Sequence, residues 1–205
     1  MKPEITHTLF VISFLSFMGV RMYYHRRAGR EGGRMNVRDS RASIILRLLL
    51  GIPLAGVTVA YLIRPEVLGW AEVPLPIWVY GMGAALVIIS FSMLIWTHQS
   101  LGANFSTILG TRVRRNLVTR GPYRWVRHPM YSVLFLFLFG TLLLSGNLLI
   151  GGSLLGSFLV TVGTRVAKEE AILEEEYGEE YRTYKSRTGR FVPQLGSPAQ
   201  SPLSF

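Results

Sequence analysis

YSVLFLFLFGTLLLSGNLLIGGSLLGSFLVTVGT, residues 131–164, carries no charged side chain. As one α-helix these 34 residues would be about 51 Å long at about 1.5 Å per residue, too long for a bilayer core of about 30 Å. Ser145-Gly146-Asn147 sits near the middle and has the chemistry of a turn. The stretch therefore reads as a helical hairpin, with one helix to about Leu144 and another from about Leu148 to Arg165. That reading decides the topology of the whole chain.

Working outward, three further apolar runs precede the hairpin: residues 8–24, 43–63 and 76–96. The second has Arg47 near its start and Pro53 inside it, and the third has no charge. With the hairpin arms at 129–144 and 148–165, this makes five spans. Composition agrees. Of 205 residues 49% are hydrophobic and 17% charged, and mean hydropathy is +0.32, which places the chain in the membrane class. The first run has only Lys2 before it and Arg21, His25, Arg26 and Arg27 at and beyond its end, with no small-residue cleavage site. It reads as a retained span rather than a cleaved signal.

A formal charge of +10 could suggest nucleic acid. Its distribution points instead to topology, because Lys and Arg collect on the cytoplasmic side of membrane proteins. Residues 21–41 hold seven arginines against Glu31 and Asp39, residues 97–130 hold six arginines and no acid, and six Lys/Arg follow Thr164. Residues 64–75 hold one arginine against Glu66 and Glu72. The three basic segments belong together in the cytoplasm, which requires the N-terminus outside and the C-terminus inside. Beyond Arg165 the sequence turns charged, and a helix is expected to leave the membrane as far as Gly178. A polar-aromatic helix then covers Glu179–Arg187, giving cytoplasmic helices over 166–187. Residues 1–193 form one membrane domain. Residues 194–205, rich in Pro, Ser and Gln, read as a disordered tail.

Two constellations carry chemistry. The first is the basic segment ending in GPYRWVRHPMY, residues 121–131. A plain juxtamembrane loop held by anionic headgroups accounts for its charge, but not for its order. Pro129 suits the first turn of a helix, where its missing N–H costs nothing. Free amides and the positive dipole end there, with Arg127 and His128 alongside, suit a carboxylate or phosphate. The second is Arg165 and Glu169, four residues apart on one helix face. An exposed pair of this kind contributes little, whereas ionisable groups at membrane depth usually serve function. His98 reads as an interfacial group or helix cap, and His7 and His25 as solvated flanks. The histidines have no metal-binding spacing, and without cysteine the chain has no disulfide or thiol nucleophile. Gly81-Met82-Gly83-Ala84-Ala85 offers small residues for close helix packing.

LVTRGPYRWVRHPMY, the apolar hairpin, and then RVAKEEAILEEEYGEEYRTYKSRTGRFVP together resemble the isoprenylcysteine carboxyl methyltransferase family, and its compact prokaryotic branch in particular. The resemblance runs from about Leu101 to Pro193. It implies an all-α integral membrane enzyme that moves the methyl of S-adenosylmethionine to the carboxylate of a prenylated cysteine. The cofactor pocket would be cytoplasmic, and the lipid chain would enter from the bilayer. Carried over by position, the cofactor residues would be Arg115, Asn116, Leu117, Val118, Tyr123, His128, Pro129, Met130 and Tyr131. The substrate-facing pair would be Arg165 and Glu169. Arg115 stands where the family often has His, and Ala167 where archaeal relatives have Pro.

The chemistry of such a transfer suits these residue types. A carboxylate with a pKa of about 4 is already ionised at neutral pH, so alignment and dryness matter more than a base. Arg165 can hold one carboxylate oxygen while Glu169 orients the guanidinium. His128 and the helix amides would hold the methionyl carboxylate, with Leu117, Val118 and Tyr131 as apolar walls for adenine. A phospholipid amine is the competing acceptor and would need a base, for which Glu169 is the candidate. A sterol-type reductase and a non-catalytic membrane protein with a degenerate site are the remaining alternatives. The acceptor is expected to be a lipophilic small molecule or a prenylated peptide, with no nucleic-acid partner and no metal.

Overall fold

The computed structural model describes residues 3–31, 35–37, 41–102, 110–112 and 116–194. Arg115 and the expected tail from residue 195 onward lie outside the described residues. Six α-helices dominate: α1 (Pro3–Glu31), α2 (Arg41–Ile63), α3 (Ile77–Leu101), α4 (Pro129–Ser145), α5 (Leu148–Tyr177) and α6 (Glu179–Arg187). Short 3-10 helices at Pro65–Ala71 and Gly121–Arg124 link them. By length and composition, α1, α2, α3 and α5 can each cross a membrane, and α4 is a shorter apolar helix. The chain is an integral membrane protein.

The hairpin forms at the turn read from the sequence. Gly146 closes α4 in the left-handed conformation, φ 62°, with its N–H on the Leu142 carbonyl at 3.1 Å. That conformation favours glycine. Asn147 then caps α5, its Oδ1 accepting from the amides of Leu149 and Ile150 at 3.1 and 3.2 Å. Its Nδ2 donates to the Leu68 carbonyl at 2.8 Å, and the Val73 amide donates to the Gly146 carbonyl at 2.7 Å. The 3-10 turn between α2 and α3 thus closes over the hairpin tip.

The buried core runs along α1, α3, α4 and α5 through Phe10, Phe17, Val87, Leu94, Val133, Phe137, Leu144, Ile150 and Leu154. Phe17 stacks on Phe137 with ring centroids 3.7 Å apart. Gly83 and Gly140 let α3 and α4 approach backbone to backbone: a Cβ at Gly83 would lie 2.8 Å from the Gly140 carbonyl oxygen. Small residues at such crossings replace the hydrophobic driving force that lipid does not supply. Of the small residues at 81–85, Gly83 makes this approach, while a Cβ at Gly81 would meet nothing.

Helices α1 and α5 exceed their expected spans. Thirty residues of α5 are about 45 Å long, so the helix runs unbroken past Arg165 to Tyr177, and Gly178 separates it from α6. Residues 166–177 form the last part of the fifth helix. A two-stranded antiparallel ribbon, β1 (Met35–Val37) on β2 (Gly110–Arg112), was not foreseen and joins the α1–α2 and α3–α4 connections. Together with the contacts of Arg127 described below, it gathers the three basic segments at one end of the helices.

Candidate active site

The site lies at that basic end, where α4 begins. His128 is the residue before the helix and Pro129 its first, as Pro129's fixed φ and missing N–H favour. The amides of Tyr131 and Ser132 both turn onto the His128 carbonyl, at 3.0 and 3.3 Å. Among the described residues this leaves Met130 as the first-turn amide donor without a partner. The helix end is a leaner anion site than its sequence suggested.

Arg127 and His128 differ more clearly from expectation. Arg127 Nε bonds Glu170 Oε1 at 3.2 Å, and its Nη1 donates to the carbonyls of Lys185, at 2.9 Å, and Thr188. His128 Nε2 lies 3.3 Å from the same Glu170 oxygen. Burial holds the imidazole below its ordinary pKa, against the raising influence of Glu169 and Glu170. A neutral ring with its proton on Nε2 toward Glu170 presents Nδ1 as an acceptor. His128 is therefore placed to receive a hydrogen bond rather than to lend a positive charge.

Glu170, which the sequence reading passed over, organises this end of the molecule. Its carboxylate is buried and meets Arg127, His128, Lys185 Nζ at 3.8 Å, and Arg190 at 2.7 and 3.1 Å. Burial alone would raise its pKa, but hydrogen bonds from Arg190 and Arg127 hold it down to about 2. The residues after α6 are clamped to the loop before α4. Gly189 N donates to the Trp125 carbonyl, Arg127 N to that of Gly189 and His128 N to that of Arg190, at 3.1, 2.8 and 3.0 Å. Tyr184 OH donates to the Tyr123 carbonyl at 2.7 Å, and Ser132 Oγ to that of Phe191 at 2.6 Å. A sequence signal for Glu170 existed: Val166, Glu170, Leu173 and Tyr177 share one helical stripe, otherwise apolar or aromatic.

One helical step from Glu170, the expected pair is in place. Arg165 Nε lies 4.0 Å from Glu169 Oε2, with 16% and 33% of the side chains exposed. Tyr131 OH donates to the same oxygen at 2.8 Å. Phe158 and Phe191 flank the Tyr131 ring, with centroids 6.3 and 6.4 Å away. Met130 faces α1, its Sδ 4.0 Å from Nη1 of Arg21. Tyr123 is buried in the Gly121–Arg124 turn. Asn116 is exposed and Leu117 and Val118 are half-buried in an irregular segment. Among the described residues no hydrogen bond or ion pair joins these three to the cluster.

Comparison with known proteins then gives this geometry a context. The family model described as phospholipid methyltransferase matches residues 78–180, from α3 into α6. The protein-S-isoprenylcysteine O-methyltransferase of Saccharomyces cerevisiae is 35% identical over 118 residues, covering 55% of this chain and 48% of that protein. The protein of the same name from Homo sapiens is 29% identical over 126 residues, covering 60% and 44%. The chain spans under half the length of these relatives. The solved structure of the eukaryotic intramembrane Ras methyltransferase, isoprenylcysteine carboxyl methyltransferase, superposes with a TM-score of 0.51 at 20% identity. That match covers 78% of this chain and 55% of the other and supports the shared fold. The chain therefore belongs to the phospholipid methyltransferase family, and the resemblance to isoprenylcysteine carboxyl methyltransferases read from its sequence holds.

Proposed function

We propose that the protein is an S-adenosylmethionine-dependent methyltransferase acting on the carboxylate of a prenylcysteine-like lipophilic acceptor. The observation that carries this reading is the Tyr131–Glu169–Arg165 cluster, which fixes a guanidinium within α5, where the charged part of that helix begins, beside the start of α4. Arg165 receives the acceptor carboxylate by charge-assisted hydrogen bonds. Glu169 orients Arg165 and is itself held by Tyr131. Bound S-adenosylmethionine would supply a sulfonium-activated methyl group.

The residues at the helix start suit that cofactor in kind. His128 Nδ1 can accept from its ammonium group and the Met130 amide can donate to its carboxylate, while the Tyr131 ring and half-buried Leu117 and Val118 suit adenine. Asn116, Tyr123 and Pro129 shape the same segment, and Arg115 would adjoin it. The proposed orientation puts the N-terminus outside and this site in the cytoplasm, because three Lys/Arg-rich segments gather there.

An amine acceptor would require Glu169 as base. That carboxylate oxygen already accepts the Tyr131 hydrogen bond and faces Arg165, which favours a positioning role. The decisive experiment uses detergent-solubilised protein. Calorimetry should show S-adenosylmethionine binding with a Kd on the order of micromolar, and labelled methyl should enter a prenylcysteine analogue rather than phosphatidylethanolamine. No binding would sink any methyltransferase reading. Transfer to the phospholipid alone would overturn the acceptor assignment.

A further inference from the structure

Arg21 marks the end of an apolar run in the sequence, but its helical phase says something else. Phe10, Phe14, Phe17, Arg21, Tyr24 and Ala28 follow one another at alternating spacings of four and three, which makes a single seam on α1. Phe10, Phe17 and Ala28 on that seam are 0%, 1% and 2% exposed. Phe17 stacks on Phe137 of α4, and Tyr24 stacks on His98 of α3 at 4.6 Å. Arg21 lies between these two contacts, so its side chain leaves α1 toward the helices rather than toward lipid or water. Its Nη1 meets the thioether of Met130, a weak acceptor that does not neutralise a guanidinium. Among the described residues no carboxylate lies within ion-pair distance of Arg21.

A cation on the packed face of a membrane helix is costly unless something answers it. Arg21 Nη1 lies against Met130, and Arg165 lies beside Glu169, the carboxylate bonded by Tyr131, so guanidinium groups from α1 and α5 flank the first turn of α4. Glu169 balances one of them. We propose that Arg21 is the second cation of the acceptor site and, with Arg165, binds the acceptor's carboxylate, so that the site selects anionic over uncharged methyl acceptors. The inference rests on the carboxylate reading above and adds a residue and a selectivity to it. Arg21 lies outside the 78–180 match to the family model and Arg165 inside it, so Arg21's share of the selectivity comes from a part of the chain which that model does not cover.

The test measures binding without turnover. An S-prenylcysteine with a free carboxylate and its isosteric carboxamide are titrated into the full chain in detergent, as wild type, Arg21→Gln, Arg21→Lys and the exposed control Arg26→Gln. Wild type should prefer the acid by about tenfold or more, Arg21→Gln should lose about tenfold of that preference, and Arg21→Lys should regain most of it. Arg26→Gln should match wild type. S-adenosylmethionine affinity should stay within about twofold throughout, which also reports folding. Should Arg21→Gln not fold, Arg21→Met carries the same readout with the apolar packing kept. An unchanged acid preference in the Gln variant overturns the proposal. So does a loss confined to S-adenosylmethionine, which would give Arg21 to the donor's carboxylate. Methyl transfer is scored separately. Acid binding that depends on Arg21 without turnover refutes the proposed reaction and leaves the Arg21 assignment standing; turnover without Arg21 dependence does the reverse.

Discussion

The Tyr131 hydroxyl donates a 2.8 Å hydrogen bond to Oε2 of Glu169 across 38 residues of sequence. The bond ties the first turn of α4 to the charged second half of α5 and holds the carboxylate beside Arg165. Tyr131→Phe keeps the ring and removes the bond. A single hydrogen bond to a charged group contributes about 1.5 kcal/mol, so methyl transfer should fall about tenfold. Stability should fall by no more than about 1.5 kcal/mol, and S-adenosylmethionine affinity should change little. Equal losses in cofactor affinity and turnover would show that Tyr131 serves the donor rather than the acceptor side.

Arg165 should split the two functions more sharply. In Arg165→Ala the acceptor loses its charge-assisted contact, and kcat should drop by about 100-fold or more, equivalent to about 2.7 kcal/mol of transition-state stabilisation. Cofactor affinity should survive in calorimetry. Arg165→Lys keeps the charge without the planar fork and should recover only part of the rate. Full recovery with lysine would mean that charge, not geometry, sets the rate.

Glu170 is the residue whose loss should unfold the basic end. Removing one member of a buried ion network leaves uncompensated charge, a cost of about 3 kcal/mol. Glu170→Gln should therefore lower Tm by roughly 5–10 °C, and the strand-like contact of Gly189 with Trp125 should become susceptible to limited proteolysis. The same network sets acid sensitivity. The Glu170 carboxyl is depressed from its usual 4.5 to about 2. Its contribution is complete above the unfolded value and disappears as pH falls from about 4.5 toward about 2. His128 is also lowered by burial. The unfolded chain takes up its proton first, so stability should begin to decline as pH falls through about 6.5. Stability measured against pH should show both windows, and Glu170→Gln should shrink the lower one, leaving the part owed to Glu174 beside Arg182 and Lys185.

The hairpin was legible because its signals are local: an uncharged run too long for one span, interrupted by Ser145-Gly146-Asn147. Pro129 at the helix start and Gly178 at the α5–α6 break were legible for the same reason. Arg21 and Glu170 were not read from charge counts, which treat every arginine as topology and every glutamate as surface. Helical phase places each on a seam that is otherwise apolar or aromatic. Arg127 was read as a cation beside a helix end, yet it is engaged by Glu170 on α5, 43 residues away, and by the carbonyls of Lys185 and Thr188, about 60 residues away on α6 and beyond it. No local pattern encodes such a pairing. In α5 charge marks where the helix leaves the membrane, at Arg165, and Gly178 marks where it ends.

Gly83 and Gly81 offer a paired test of the α3–α4 crossing. A Cβ at Gly83 would lie 2.8 Å from both the Gly140 carbonyl oxygen and the Leu144 amide nitrogen. Both are backbone atoms in a helix and cannot move aside as a side chain would. Gly83→Ala should therefore push the helices apart, with a cost of about 1–3 kcal/mol for overpacking and a lower Tm in detergent. At Gly81 a Cβ meets nothing within 4 Å. There the change to alanine should be neutral or stabilising by up to about 1 kcal/mol through helix propensity. The two substitutions are chemically identical and two residues apart, so propensity cancels between them and the difference in Tm reports the crossing alone. Indistinguishable melting curves would mean that α3 and α4 do not approach at Gly83 and Gly140.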